Sequence, residues 1–318
     1  MGVLFGILSA ASFSLNMIAV RRGVLIASAT QGMYITIIGG VPLFALSALV
    51  TGQIFDIREI TSWAWLYLPA AGIVHFNIGR YGNYQTVRYI GANASTPFRS
   101  LTPLFAVAMS IVFLDDSITA LKGFGIGLII LAPLVMVKWG GRKAPAGGST
   151  HSSTEAPAVP ASGGPPVANT VIYDWKKGIT WAVIASLAYG TSPLLVKAGL
   201  EESGLSLLGG TISYVAASMI LILALVLPGR YRSVRNMPRG AIKYFVIGGF
   251  SVFFAQMFRY VGLAIAPVST ITPLQQTGAV WTVLFSFIFN RQTELFGARI
   301  YAAIFFSAIG ALALVWPQ

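Results

Sequence analysis

The sequence contains no cysteine. Disulfides, thiolate nucleophiles and Cys-ligated metal sites are therefore excluded. Histidine is almost as scarce: His75 and His151 are the whole set, too few for a multi-histidine metal centre. No metal or other cofactor is expected. Charge is the third shortage. Only 9% of the 318 residues are charged, against about 25% in a typical soluble domain, too few to coat a soluble surface. Acidic residues are the rarest charges, 9 against 21 Lys+Arg, for a net charge of +12. None of the nine falls inside a long apolar stretch. Without thiols, an interior carboxylate pair or a metal cluster, no set of groups is present to do chemistry, and an enzyme is not expected.

What the sequence has in abundance is apolar residues, 56% of the chain, with a mean hydropathy of +0.76. They fall into ten windows near residues 2–20, 31–50, 62–86, 92–114, 121–137, 177–197, 205–227, 241–264, 267–289 and 295–316. Each is long enough for a hydrocarbon layer of about 30 Å as a helix, the element that satisfies its own backbone hydrogen bonds in lipid. The first window lacks a basic leader and a clear cleavage site, so it is expected to be a retained span. An all-α, multi-pass integral membrane protein follows. Trp63, Trp65, Trp139, Trp175, Trp181 and Trp316 fall near window ends, as an interfacial belt requires.

Between the fifth and sixth windows, residues 140–174 are dominated by Gly, Pro, Ser, Thr and Ala. Such a segment buries too little to offset its ordering entropy and is expected to be a disordered linker. It divides the chain into residues 1–139 and 175–318, each with five spans. The halves resemble one another. Val20-Arg21 matches Val196-Lys197, and Thr51-Gly52 matches Pro228-Gly229. Asn77-Ile78-Gly79-Arg80-Tyr81 matches Gln256-Met257-Phe258-Arg259-Tyr260. Thr96-Pro97-Phe98-Arg99-Ser100 matches Thr272-Pro273-Leu274-Gln275-Gln276. The offsets run from 176 to 179. Because five is odd, the second half sits inverted relative to the first, the arrangement of many transporters.

Two five-helix halves, Pro103 in the fourth span, Asp115-Asp116 a dozen residues on and Gly123-Phe124-Gly125-Ile126-Gly127 after them resemble the drug/metabolite transporter superfamily, EamA-like branch. The second half keeps this pattern less well, with Gly278, Arg291 and Glu294 in the corresponding stretch. The resemblance implies ten helices around a central cavity and an alternating-access carrier. It also implies that the first, third, fourth, sixth, eighth and ninth helices line the path, and that the termini are cytoplasmic.

The charge distribution speaks to orientation independently. Fifteen of the 21 positive residues fall in loops on the linker side and three on the other side. The positive-inside rule then makes the linker side cytoplasmic, opposite to the resemblance, in a cell inner or plasma membrane. The surplus charge is thereby accounted for without nucleic acid.

The remaining three, Arg80, Arg99 and Arg259, lie inside spans. An arginine at the bilayer centre costs about 2.5–3.5 kcal/mol on insertion scales and must face a partner or a wet cavity. Asn77, Arg80 and Tyr81 share a helical face, and Gln256, Arg259 and Tyr260 repeat the pattern amide-x-x-Arg-Tyr. Each arginine lies about 7–9 Å past its span's centre, Arg80 toward the linker side and Arg259 away from it. Thr96-Pro97 and Thr272-Pro273 predict kinked spans that free backbone carbonyls next to Arg99, Gln275 and Gln276. With no carboxylate in the spans, the missing negative charge is expected to come from a substrate, because guanidinium pairs with carboxylate or phosphate. The expected cargo is a small organic anion, or a zwitterion with an acidic end. His75 is a candidate proton site. Asn16 and Ser192 are candidate orienting groups, and Trp281, well inside the ninth span, a stacking platform. Competing readings are helix-clamping arginines, an exporter of neutral amino acids or drugs, and a non-transporting scaffold or lipid-binding protein. The steps Gly2-Gly6-Ala10 and Gly123-Gly127 suit close helix packing or a homodimer face, so monomer and homodimer stay open.

Overall fold

A computed structural model describes residues 1–105, 120–137, 173–266, 271 and 274–315. The expected linker lies almost wholly outside these residues, as do Asp115, Asp116, Trp139, Thr272, Pro273 and Trp316. The described residues are helical and contain no strand.

Among the described residues, five helices are each long and apolar enough to cross a membrane unaided: α1 (Gly2–Ile26), α2 (Ala29–Val50), α6 (Trp175–Leu200), α7 (Ser206–Ala224) and α8 (Arg239–Ile265). The other spans are shorter or broken. They are α3 (64–90), α4 (Ala92–Arg99), α5 (Ala120–Val137), α9 (Gly278–Phe289) and α10 (Ala298–Val315). Tyr34–Ile38 in α2 and Ile73–Arg80 in α3 wind as π-helix, a local widening frequent at functional sites. Local chemistry sets several boundaries. Ser28 and Gln31 cap α2 reciprocally. Asp174 caps α6, and the backbone N–H of Lys177 holds its carboxyl below the usual range. Gly91 alone joins α3 to α4, at φ +86°, a conformation L side chains rarely adopt, and a Cβ there would meet Glu294 Oε2 at 2.8 Å.

Near each Thr-Pro pair the helix is interrupted at one described residue. The helix of α4 is interrupted at Ser100 and resumes over 101–105. In the ninth span, residues 274–276 form a short helical piece, Thr277 is a turn, and α9 proper begins at Gly278. The interruptions occupy corresponding places in the two halves. Ser100 and Gln276, which align at the repeat offset, touch through Ser100 Oγ and Gln276 Oε1 at 3.4 Å.

The packing follows the inverted repeat. The longest contact runs between α1 and α8, and its counterpart joins α6 to α3. Likewise α1 packs on α9 as α6 packs on α4, and α3 on α7 as α8 on α2. The pairs α2–α7, α4–α9 and α5–α10 lie across the pseudo-twofold axis. Buried aromatics fill the centre: the Tyr214 ring lies 4.1 Å from Phe76 and 4.9 Å from Phe44, centroid to centroid. The outward faces are apolar, with Leu223, Val226 and Phe305 exposed, as lipid contact requires. Gly2 and Gly6 seat Ala266 and Leu274 of the same chain. In α5 the packing glycine is Gly125, whose carbonyl approaches Gly310 of α10; Gly123 and Gly127 face open space.

Candidate functional site

Because the helices alternate in direction, the linker side carries the C-terminal ends of α1, α3, α5, α7 and α9 and the N-terminal ends of α2, α4, α6, α8 and α10. A cavity lies in the opposite half of the bundle. It is lined by Ser9, Ala10, Phe13, His75, Arg99, Thr102, Tyr189, Gln256, Arg259, Gln275 and Gln276 and is partly open to solvent. These residues come from α1, α3, α6, α8, the kink of α4 and the short piece preceding α9. They are the six helices that the resemblance assigns to the path.

The sequence candidates divide sharply here. His75, Arg99, Gln256, Arg259, Gln275 and Gln276 converge on the cavity. Ser192 stands directly behind it, bonded to both His75 (2.6 Å) and Arg259 (3.2 Å). The π-helical turn of α3 aims His75 at α6 and α8, and Gln256 bridges its Nε2 (2.9 Å) to Arg259 Nη1 (3.2 Å). Arg99, at the α4 kink, lies over the Phe13 ring at 4.5 Å. Among the described residues it has no hydrogen-bond acceptor and no carboxylate partner.

The other candidates are placed elsewhere. Arg80, the repeat counterpart of Arg259, donates to the Thr36 carbonyl (3.0 Å) and the Tyr214 hydroxyl (2.8 Å) and stacks on Phe76. It is fully enclosed and does not line the cavity; these partners supply what the sequence reading sought from a substrate. Asn77 donates to the Ala217 carbonyl and Asn16 to the Gly248 carbonyl. Thr96 bonds back to Ala92 within its own helix. Tyr81 meets Trp181 edge-on, Tyr260 is buried against Phe44, and Trp281 stacks on Phe285. These are contacts within or between helices. Thr272 lies outside the described residues.

Two features were missed from sequence. Tyr189 lines the cavity, and its buried hydroxyl has no hydrogen-bond partner among the described residues, an arrangement that otherwise costs stability. The repeat offset of 176 pairs Tyr189 with Phe13. The two rings meet edge-to-face at 6.1 Å, so the internal repeat, applied to aromatics, held a signal for both.

The second missed feature lies toward the linker side. Arg21 and Glu294 stand just outside the apolar windows, yet both side chains are 0% exposed and form an ion pair at 3.2 Å. Arg21 also donates to the carbonyls of Val87, Arg88 and Thr293. Glu294 accepts the backbone N–H groups of Ala92 (2.9 Å) and Asn93 (3.0 Å) at the start of α4, where a helix dipole favours negative charge. Beside it, Arg22 bonds Asn290 Oδ1 at 2.7 Å and the Phe289 carbonyl. The ends of α1, α3, α4 and α9 are thereby tied together between the cavity and the linker side.

The model of the EamA-like transporter family matches residues 1–138 and again 176–316, one match per half. The chain belongs to the EamA-like transporter family. It is a multi-pass membrane protein of a family that transports small molecules, built from two inverted five-helix halves. A solved chain described as "Crystal structure of protein" has a TM-score of 0.62 over 98% of this chain and 94% of its own, at 11% sequence identity. That likeness shows the fold alone. No curated protein matches the sequence.

Proposed function

We propose that the protein is an alternating-access carrier of a small organic anion, or a zwitterion with an acidic end, bound in the cavity between the two halves. One observation carries this reading. Two guanidinium groups, Arg99 and Arg259, line one cavity with no carboxylate among its lining residues, and Arg99 has no acceptor among the described residues. A carboxylate or phosphate supplies the missing charge and accepts the bidentate donors that guanidinium offers. Tyr189 contributes its unpartnered hydroxyl, and Gln275 and Gln276 orient the remainder of the cargo.

The Arg21–Glu294 cluster is the closed gate of this cycle, and the cavity belongs to the state open on the side away from the linker. Opening the linker side requires these contacts to part while the cavity half closes over Arg99 and Arg259. The loop charges support a cytoplasmic linker side.

The test is thermal stabilisation of the purified full chain by lactate, with lactamide as the uncharged control, followed by lactate uptake into vesicles. A ligand at 100 times its Kd adds about 2.7 kcal/mol of stability. Lactate is expected to stabilise and lactamide not, and Arg99→Gln should remove the difference. Equal stabilisation by both compounds, retained in Arg99→Gln, would favour a carrier of neutral cargo instead. A folded protein with no flux of any compound would favour a scaffold.

A further inference from the structure

The hydrogen bonds around His75 can be assigned donor by donor. Arg259 has only donors, so the Gln256 atom facing its Nη1 at 3.2 Å must be the carbonyl oxygen Oε1. That fixes the amide: its nitrogen Nε2 points at His75 Nε2, 2.9 Å away. An amide nitrogen can only donate there, so His75 Nε2 is bare. The imidazole is therefore neutral with its proton on Nδ1, and that proton is donated to Ser192 Oγ at 2.6 Å. Ser192 Oγ also accepts from Arg259 Nη2 at 3.2 Å, and two lone pairs suffice for both. In effect, Arg259 dictates the protonation state of His75 through Gln256.

Resting on the anion-carrier reading, we propose that this relay couples a proton to the cargo, so that anion and proton enter the cavity together. A proton arriving from cavity water onto His75 Nε2 turns that atom into a donor. Gln256 must then rotate its amide to present Oε1 to His75, which turns its nitrogen toward Arg259. Arg259 loses its acceptor, and Nη1 is released into the cavity that it already lines. An anion bound there accepts the released N–H. It also offsets the positive charge that faces the imidazole.

The groups facing His75 are Arg80 from its own helix, Arg259 from α8 and the Tyr189 ring from α6, at 4.6 Å between centroids. Arg99 of α4 shares the cavity. No carboxylate among the described residues lines it, so the counter-charge for an imidazolium comes from the cargo. Proton and anion therefore favour each other's binding, and the linkage is reciprocal. Cargo moves as a protonated pair, not as a bare anion.

The scarcity of histidine makes the test direct. In a His151→Gln background, His75 is the single imidazole. Nitrogen-15 spectra of the histidine-labelled full chain should show the Nδ1–H tautomer at neutral pH, and an Nε2–H tautomer would overturn the relay. Lactate and sulfate keep constant charge between about pH 5 and 8, so a pH dependence of their binding in that range belongs to the protein. Their affinity, followed by thermal shift, should weaken by up to about tenfold per pH unit while His75 loses its proton. In His75→Gln the affinity, whatever its level, should no longer change with pH. Binding that is equally strong at every pH, or pH dependence that survives His75→Gln, overturns the coupling and leaves the anion reading standing. Binding of neither anion at any pH overturns the anion reading, and the coupling falls with it.

Discussion

Glu294→Gln tests the gate most sharply, because the two side chains change by one charge and hardly in shape. In the present state the Glu294 carboxylate pairs with Arg21 at 3.2 Å and accepts two backbone N–H groups at the start of α4. Removing one partner of a buried ion pair costs about 3–5 kcal/mol, because the other charge is left uncompensated. Glutamine keeps one carbonyl oxygen for the backbone, and Arg21 keeps its three carbonyl acceptors. A loss of about 2–3 kcal/mol from the closed gate is therefore expected. At about 1.4 kcal/mol per factor of ten, that shifts the equilibrium toward the linker-open state by roughly 30- to 150-fold. The absence of cysteine supplies the assay. Ser14 lies between the cavity and the gate, bonded to the Ala10 and Gly278 carbonyls where α1 meets α9. In a Ser14→Cys background, a membrane-impermeant thiol reagent added on the linker side should react slowly, and Glu294→Gln should accelerate it by a comparable factor. An unchanged labelling rate in a folded double variant would refute the assignment of Arg21–Glu294 as the gate.

Three further outcomes separate structural from ligand-binding roles. Arg80→Gln leaves the Tyr214 hydroxyl and the Thr36 carbonyl without their donor and should destabilise the protein by about 1–3 kcal/mol in thermal unfolding, while stabilisation by lactate persists; loss of the lactate effect alone would return Arg80 to the binding site. Tyr189→Phe removes an unpaired hydroxyl, so the free protein should be no less stable, while lactate affinity falls by about 0.5–1.5 kcal/mol if the hydroxyl serves the cargo. Gly72→Ala sets a Cβ against the Ser213 backbone carbonyl where α3 crosses α7. Neither backbone can yield cheaply, and a loss of about 1–3 kcal/mol is expected in thermal unfolding.

The membrane class, the helical windows and the inverted repeat could be read from the linear sequence, because lipid imposes a local rule. A chain that crosses hydrocarbon must be apolar and helical over some twenty consecutive residues, and such runs are visible without knowing any neighbour. The helix interruptions at Ser100 and Thr277 lie close to the Thr-Pro pairs, a signal carried by each helix's own sequence.

What the arginines do was not legible. Arg80 and Arg259 carry the same local motif, yet one is satisfied by Thr36 and Tyr214 and the other faces a cavity. The difference lies in α2 and α7, helices remote in sequence. Arg21 and Glu294 stand 273 residues apart, and nothing local marks them as partners. Sequence determined which residues could not remain in lipid alone, because desolvation of charge is a property of the residue. Only tertiary structure decided which of them is enclosed by protein partners and which lines a cavity, because pairing depends on what other helices bring within hydrogen-bond reach.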